Sequence, residues 1–176
     1  MASTVTQCSS LTDRRMATAY LGLGTNIGNR TENLTRAIEA LSLALGPCTA
    51  QSSFIETAPW GFESDNPFLN CAVAFETELT PLKLLDTTER IERELGRTTK
   101  SCEGIYHDRV IDIDILLFGN ETIGTPRLTI PHPLMHKRDF VLEPLSEIAP
   151  NQILPGTGKS IGELTNELKN KKRQKG

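Results

Sequence analysis

The run Arg109-Val110-Ile111-Asp112-Ile113-Asp114-Ile115-Leu116 constrains the fold of this chain more than any other stretch. Its apolar and acidic residues alternate with a period of two, the signature of a strand with one face in a core. Ile111, Ile113 and Ile115 then point into the core, and Asp112 and Asp114 point together the other way. The spacing predicts a strand over 110–118. The two aspartates lie two strand steps apart, roughly 6.5–7 Å between Cα atoms. Their carboxylates can therefore converge on cations held between them.

The rest of the chain supplies partners for that strand. A first strand is predicted from Ala17 to Leu23, followed by a Gly/Asn-rich loop. Apolar residues at 34, 37, 38, 41 and 45 follow helical steps from Glu32, and Gly46-Pro47 stops them. Ser52–Thr57 and Asn70–Glu78 read as strands. Pro81 opens a second helix that carries Leu82, Leu85, Ile91 and Leu95 and ends at Gly96. After the long strand come a short hairpin around Gly124 and helical stretches near 140–148 and 161–168. The order β-α-β-β-α-β is the ferredoxin-like arrangement of an α+β domain, an antiparallel sheet with two helices on one face. It carries a C-terminal hairpin and helical extension. One domain is expected over residues 17–168, with a disordered extension at 1–16 and a fraying polar tail at 169–176.

Composition excludes several function classes. The net charge is −3, so there is no overall cationic field for nucleic acid. No apolar run approaches the roughly 20 residues that span a bilayer. The four cysteines include no CxxC pair, and without a secretion signal they read as reduced thiols in a cytoplasm.

Two like charges so close on a strand repel, and a cation resolves the repulsion. Hard oxygen ligands favour magnesium, which uses one or two carboxylates together with substrate phosphates. The Asp pair thus suits two-metal phosphoryl chemistry, although taken alone it reads equally as a solvated outer face. Arg109 and the polar loop before it, with Arg97, Lys100, Gly104, Tyr106 and His107, favour the phosphate reading. A loop of that length between helix and strand suits a lid. Three apparent motifs are discounted. Gly156-Thr157-Gly158-Lys159-Ser160 lacks the earlier glycine of a P-loop and reads as a turn before a helix, with Ser160 as a cap. Gly22-Leu23-Gly24-Thr25-Asn26-Ile27-Gly28 has one residue too many for the dinucleotide fingerprint and reads as a tight turn. His132 and His136 have zinc-helix spacing but no glutamate, and Pro133 disfavours a helix there.

Several segments together resemble the 6-hydroxymethyl-7,8-dihydropterin pyrophosphokinase family of folate biosynthesis. They are Tyr20 through Asn29, Phe68-Leu69-Asn70, Glu89 through Glu92, Arg109-x-x-Asp112-Ile-Asp114 with Leu117-Phe118-Gly119, Pro131-His132, and Arg138-x-Phe140. The likeness runs from about Ala19 to about Leu168. It implies transfer of pyrophosphate from ATP, the co-substrate, to the pterin alcohol with release of AMP. It implies two magnesium ions on Asp112 and Asp114, and catalytic roles for Arg97, Arg109 and Asp114. Glu92, Arg109, Ile115, Arg127, Thr129, His132 and Arg138 would surround ATP. The pterin would stack between Phe140 and Tyr106, with Asn70 and Thr57 bonding its edge and Ala58, Trp60 and Phe68 as walls. The family often has Gly-Pro before the arginine, where this chain has His107-Asp108. A monomer acting on small molecules, with no nucleic acid and no membrane, is expected. The rival readings are a ferredoxin-like binding module without catalysis and a phosphotransferase for a different alcohol.

Overall fold

The computed structural model describes residues 15–97 and 107–175. Three long strands form the centre of its main sheet. β1 (Ala17–Thr25) lies between β4 (Phe68–Thr77) and β5 (Asp112–Phe118), antiparallel to both. β2 (Cys48–Gln51) and β3 (Ile55–Thr57) pair with the other side of β4, so the order is β2-β4-β1-β5. This is the ferredoxin-like order, with the second strand divided. The segment expected as one strand over 52–57 is interrupted because the Ser52 hydroxyl takes the Ala72 N–H at 2.9 Å. Ser53 meanwhile turns outward to the Glu147 carboxylate.

Two helices cover one face. In α1 (Arg30–Leu45) the Asn29 side chain caps the Glu32 N–H, and in α2 (Pro81–Glu94) Thr80 caps Lys83 with proline in the first turn. Leu34, Ala37 and Leu41 from α1, and Leu84, Leu85 and Ile91 from α2, pack on Leu21, Leu23, Val73, Phe75, Ile113 and Ile115. The buried stripe of α2 thus uses Leu84, while Leu82 faces outward and is 41% exposed. Glu92 is buried next to Ile91 on the same helix.

The opposite face is covered only in part. β6 (Ile123–Gly124) and β7 (Thr129–Ile130) form the expected hairpin. The chain then passes through a 3-10 turn at Met135–Lys137 into α3 (Asp139–Ile148) and α4 (Ile161–Arg173). Met135, Leu142, Leu145 and Ile161 pack there on Ala72 and Leu116. Ser160 and Glu163 form a capping box at the start of α4, as the turn reading of the glycine-rich segment expects. The tail does not fray at 169. The helix continues to Arg173, because Lys169 pairs with Glu143, Lys172 pairs with Asp139, and a basic last turn suits the negative end of the helix dipole. Among the described residues no helix is long and apolar enough to cross a membrane.

Candidate active site

Register builds the site. Gly24 is paired with Asn70 on one side and Asp112 on the other, and Gly22 with Ala72 and Asp114. Two rows therefore run across the partly covered face, each with a glycine in the middle strand and an aspartate on β5. The missing side chains leave a trough along β1. It opens into a cleft of about 360 Å³ bounded by the β3–β4 segment, the end of α2 and the start of α3. A methyl group built on Gly24 would lie 2.8 Å from the Asn70 amide oxygen, so nothing larger than glycine fits there without displacing that amide. Gly22 and Gly24 are thus strand residues with a packing role, and the tight-turn reading of this pair is corrected.

β5 is an edge strand, and its free edge is served by side chains and loop. The Ile113 N–H donates to Glu92 Oε1 at 2.7 Å, and the Leu116 carbonyl accepts from the His132 N–H at 3.0 Å. The same Glu92 oxygen accepts from Arg97 Nη1 at 2.6 Å. Arg97 is aimed there because the chain turns just past the end of α2 at Gly96, whose φ is 98°. The Arg97 guanidinium is buried and also reaches Asp112 Oδ1 at 2.5 Å. Burial works against its charge, but the Asp112 and Glu92 carboxylates prevail and raise its pKa above the ordinary value. Arg109 Nη1 lies 3.6 Å from the other Asp112 oxygen, and its guanidinium lies 5.1 Å from the centre of the Phe68 ring.

Asp114 is placed differently. It makes no hydrogen bond or ion pair among the described residues. Burial pushes its carboxyl above the usual carboxylate range, and the Asp112 and Glu92 charges push the same way; Arg138 and Arg109 offset this only in part. Such a carboxylate is relieved by a cation. The described residues hold no cluster of three or more side chains suited to a metal ion. Asp112 and Asp114 offer two carboxylates on one face, and magnesium uses one or two carboxylates and fills its remaining positions with water and phosphate oxygens. His132 is neutral: burial, then Arg138, lower its pKa to about 4. Its Nδ1 faces the Leu134 N–H at 3.3 Å, which leaves the proton on Nε2.

The other wall is aromatic. Trp60 and Phe140 have ring centres 6.3 Å apart, and the Arg138 guanidinium lies 4.4 Å from the Trp60 ring and 5.7 Å from Phe140. Phe62 packs edge-on against Phe68. Asn70 Nδ2 donates to Thr57 Oγ1 at 2.8 Å, which fixes the amide orientation beside Gly24.

The cleft brings together Thr57, Ala58, Trp60, Phe68, Asn70, Glu92, Arg97, Arg109, Asp112, Asp114, His132, Arg138 and Phe140. It does not include Ile115, which alternation turns into the helix-covered core. Arg127 and Thr129 are exposed outside it, and Arg127 is held by Asp86 at 2.7 Å and Glu89 at 3.4 Å. Tyr106, Lys100 and Gly104 lie outside the described residues. The sequence reading missed Gly22, Gly24, Leu116, Leu134, Val141 and Pro144 among the lining residues. A two-residue glycine spacing matching the aspartate spacing is the signal that points to the glycines.

A family model described as 7,8-dihydro-6-hydroxymethylpterin-pyrophosphokinase (HPPK) matches residues 20–150. A protein of Porphyromonas gingivalis named 2-amino-4-hydroxy-6-hydroxymethyldihydropteridine pyrophosphokinase is 53% identical over 136 residues, 77% of this chain and 92% of that one. An Aquifex aeolicus protein of the same name is 43% identical over 152 residues, 86% of this chain and 92% of its own length. Among solved structures, Plasmodium falciparum HPPK-DHPS, wild type with SDX-DHP, superposes with a TM-score of 0.74 at 17% identity. That likeness is one of fold; it covers 92% of this chain but 46% of the Plasmodium chain.

Proposed function

The chain belongs to the 7,8-dihydro-6-hydroxymethylpterin-pyrophosphokinase family, and we propose that its glycine-floored cleft is where the family's reaction takes place. Pyrophosphate is transferred from ATP to 6-hydroxymethyl-7,8-dihydropterin in folate biosynthesis. The hydroxymethyl group gives up its proton to solvent as its oxygen forms a bond to the β-phosphorus of ATP. The bond from that phosphorus to the oxygen bridging to the α-phosphate breaks, and AMP leaves with the bridging oxygen.

The observation that carries this reading is the pairing of Asp112 and Asp114 on one face of β5 with Arg97, Arg109 and Arg138 around them. Magnesium, two ions on the family resemblance, would be held by Asp112 and Asp114 and would neutralise charge on the ATP phosphates. Arg97 and Arg109 would face the transferring group, where charge grows as the reaction proceeds. Their hold on Asp112 sets their position before substrate arrives. His132, neutral and donating from Nε2, would bond a phosphate oxygen, with Arg138 beside it. On the aromatic side Phe140, Trp60 and Phe68 offer a slot for a flat ring. Asn70, oriented by Thr57, would read its polar edge; a ring without that edge leaves the amide unpaired and is rejected. Ile115, Arg127 and Thr129 would touch ATP only after a rearrangement, and the slot facing Phe140 would be completed by Tyr106.

We propose that the protein acts on small molecules as a monomer, and the free thiols of Cys48 and Cys71 support a reducing compartment such as the cytoplasm. Incubation with ATP, magnesium and 6-hydroxymethyl-7,8-dihydropterin tests the function. Pterin-dependent AMP supports it. ADP would point to a different phosphotransferase, and no nucleotide product from folded protein with metal would point to a binding module.

A further inference from the structure

Asp108 stands at the rim of the cleft, one residue before Arg109, and its carboxylate gathers donors from two distant parts of the chain. Oδ1 accepts from Asn26 Nδ2 at 2.7 Å and from Ser64 Oγ at 2.7 Å. Oδ2 accepts from Asn66 Nδ2 at 2.8 Å. Ser64 and Asn66 belong to the β3–β4 segment that carries Trp60 and Phe62 into the aromatic wall. That segment has no strand or helix pairing between Ala58 and Pro67, so side-chain bonds decide where it sits. Asn26, at the end of β1, brackets Arg109 by a separate pair of bonds: its Oδ1 accepts the Arg109 N–H at 2.7 Å, and its own N–H donates to the Arg109 carbonyl at 3.2 Å. Arg30 holds the far end of the segment through the Pro67 carbonyl at 2.8 Å.

We propose that Asp108 is a positioning residue, a latch that ties the Trp60-bearing segment to the Arg109 end of the cleft and so sets the slot for the flat ring. The proposal rests on the pterin and ATP reading of the cleft. A carboxylate suits this role because it is acceptor-only and can take all three donors at once. An amide would turn an NH2 group toward one of them. The donors in turn, Ser64 foremost, hold the Asp108 carboxyl below its usual range. Asp108 is exposed, so water replaces the lost bonds when the latch is cut, and the fold tolerates the loss. What changes is the share of molecules with the segment in place. Arg109 keeps its Asn26 bonds, so the phosphate side of the cleft stays set.

Trp60 is the single tryptophan of the chain, and its fluorescence reports the segment directly. The test is acrylamide quenching of Trp60 and steady-state kinetics for Asp108→Ala, Asn66→Ala and the double variant. The expected result for Asp108→Ala is quenching raised about twofold and pterin KM raised about tenfold, with kcat and ATP KM within about threefold of native. Asn66→Ala should raise pterin KM severalfold alone and add nothing to Asp108→Ala, since both cut one network. Unchanged quenching in Asp108→Ala, or additive effects of the two substitutions, would overturn the latch. If Asp108→Ala does not fold, Ser64→Ala and Asn66→Ala each remove one donor and carry the same test. The quenching arm needs no turnover. A native protein that releases no AMP while Asp108→Ala loosens Trp60 would therefore sink the pterin reading and leave the latch standing.

Discussion

Replacing Glu92 by alanine should cost far more than a surface charge on a helix would suggest. Glu92 is 2% exposed, and one of its oxygens serves both the Arg97 guanidinium at 2.6 Å and the Ile113 N–H at 2.7 Å. Ile113 is itself 5% exposed on an edge strand, and among the described residues no further strand takes its N–H. Truncation leaves that donor unsatisfied, which costs about 1–3 kcal/mol. Breaking a buried ion pair costs about 3–5 kcal/mol when the surviving charge has no other partner. Arg97 keeps Asp112, so the two costs overlap rather than add, and roughly 3–4 kcal/mol is expected for Glu92→Ala. Glu92→Gln retains the acceptor oxygen and loses only charge; roughly 1–2 kcal/mol is expected. Urea unfolding followed by circular dichroism measures both, with an unchanged slope against denaturant showing that stability alone has moved. The order matters more than the size. Glutamine as costly as alanine would mean that the charge, and not the Ile113 bond, dominates. A cost below about 1 kcal/mol for alanine would refute the buried-bridge argument altogether.

Three further outcomes follow from the same geometry. Gly24→Ala puts a methyl group 2.8 Å from the Asn70 oxygen and should raise pterin KM at least tenfold and cost about 1–3 kcal/mol. Gly22→Ala meets only the Leu116 side chain at 3.3 Å and should do less, so equal kinetic effects would defeat the steric account. His132, with a pKa of 6.5 in an unfolded chain and about 4 in the fold, binds its proton more readily when unfolded. Stability from this group is complete above pH 6.5 and is lost as pH falls toward 4, by about 3 kcal/mol at about 1.4 kcal/mol per pH unit. His132→Gln should flatten the unfolding profile over that window, and an unaltered slope would show that His132 is not the group responsible. Asp114→Asn should abolish magnesium-dependent tightening of ATP binding by calorimetry. Without metal it should raise the urea midpoint at pH 8, because a carboxyl with a raised pKa destabilises the fold once ionised. A lowered midpoint would show Asp114 to be well accommodated as a bare anion.

Local pattern made half of this site legible. The alternation around Asp112 and Asp114 is written in consecutive residues, and so are the helix caps and the βαββαβ order. What the aspartates face is set by register, which joins residues far apart in the chain. Gly22 and Gly24 read locally as a turn because glycine most often is one; only their pairing with Asp114 and Asp112 shows a floor. Glu92 reads as one more charge on an acidic-basic helix. Its burial arises because β5 is an edge strand and its Ile113 N–H is taken by this helix side chain. The same logic displaces Ile115 from the cleft: the alternation that turns Asp114 toward the substrate side commits Ile115 to the core, whatever its proximity in sequence.

The two faces of the sheet therefore carry separate burdens. On the helix-covered face Phe75, Leu21, Ile113 and Leu41 interlock in a continuous core. On the other face the middle strand gives up two side chains, the half-buried Asp114 carboxylate has no hydrogen bond among the described residues, and arginines sit on aromatic rings. Each of those features costs the fold something and leaves room, charge or polarity for a ligand. Of the described helices, α2 reaches both: its apolar stripe meets Glu92, whose oxygen completes the edge of β5 and holds Arg97 against Asp112. That one turn couples core to cleft. It follows that Glu92 substitutions should lower stability and activity together, whereas Asp114 substitutions should separate the two.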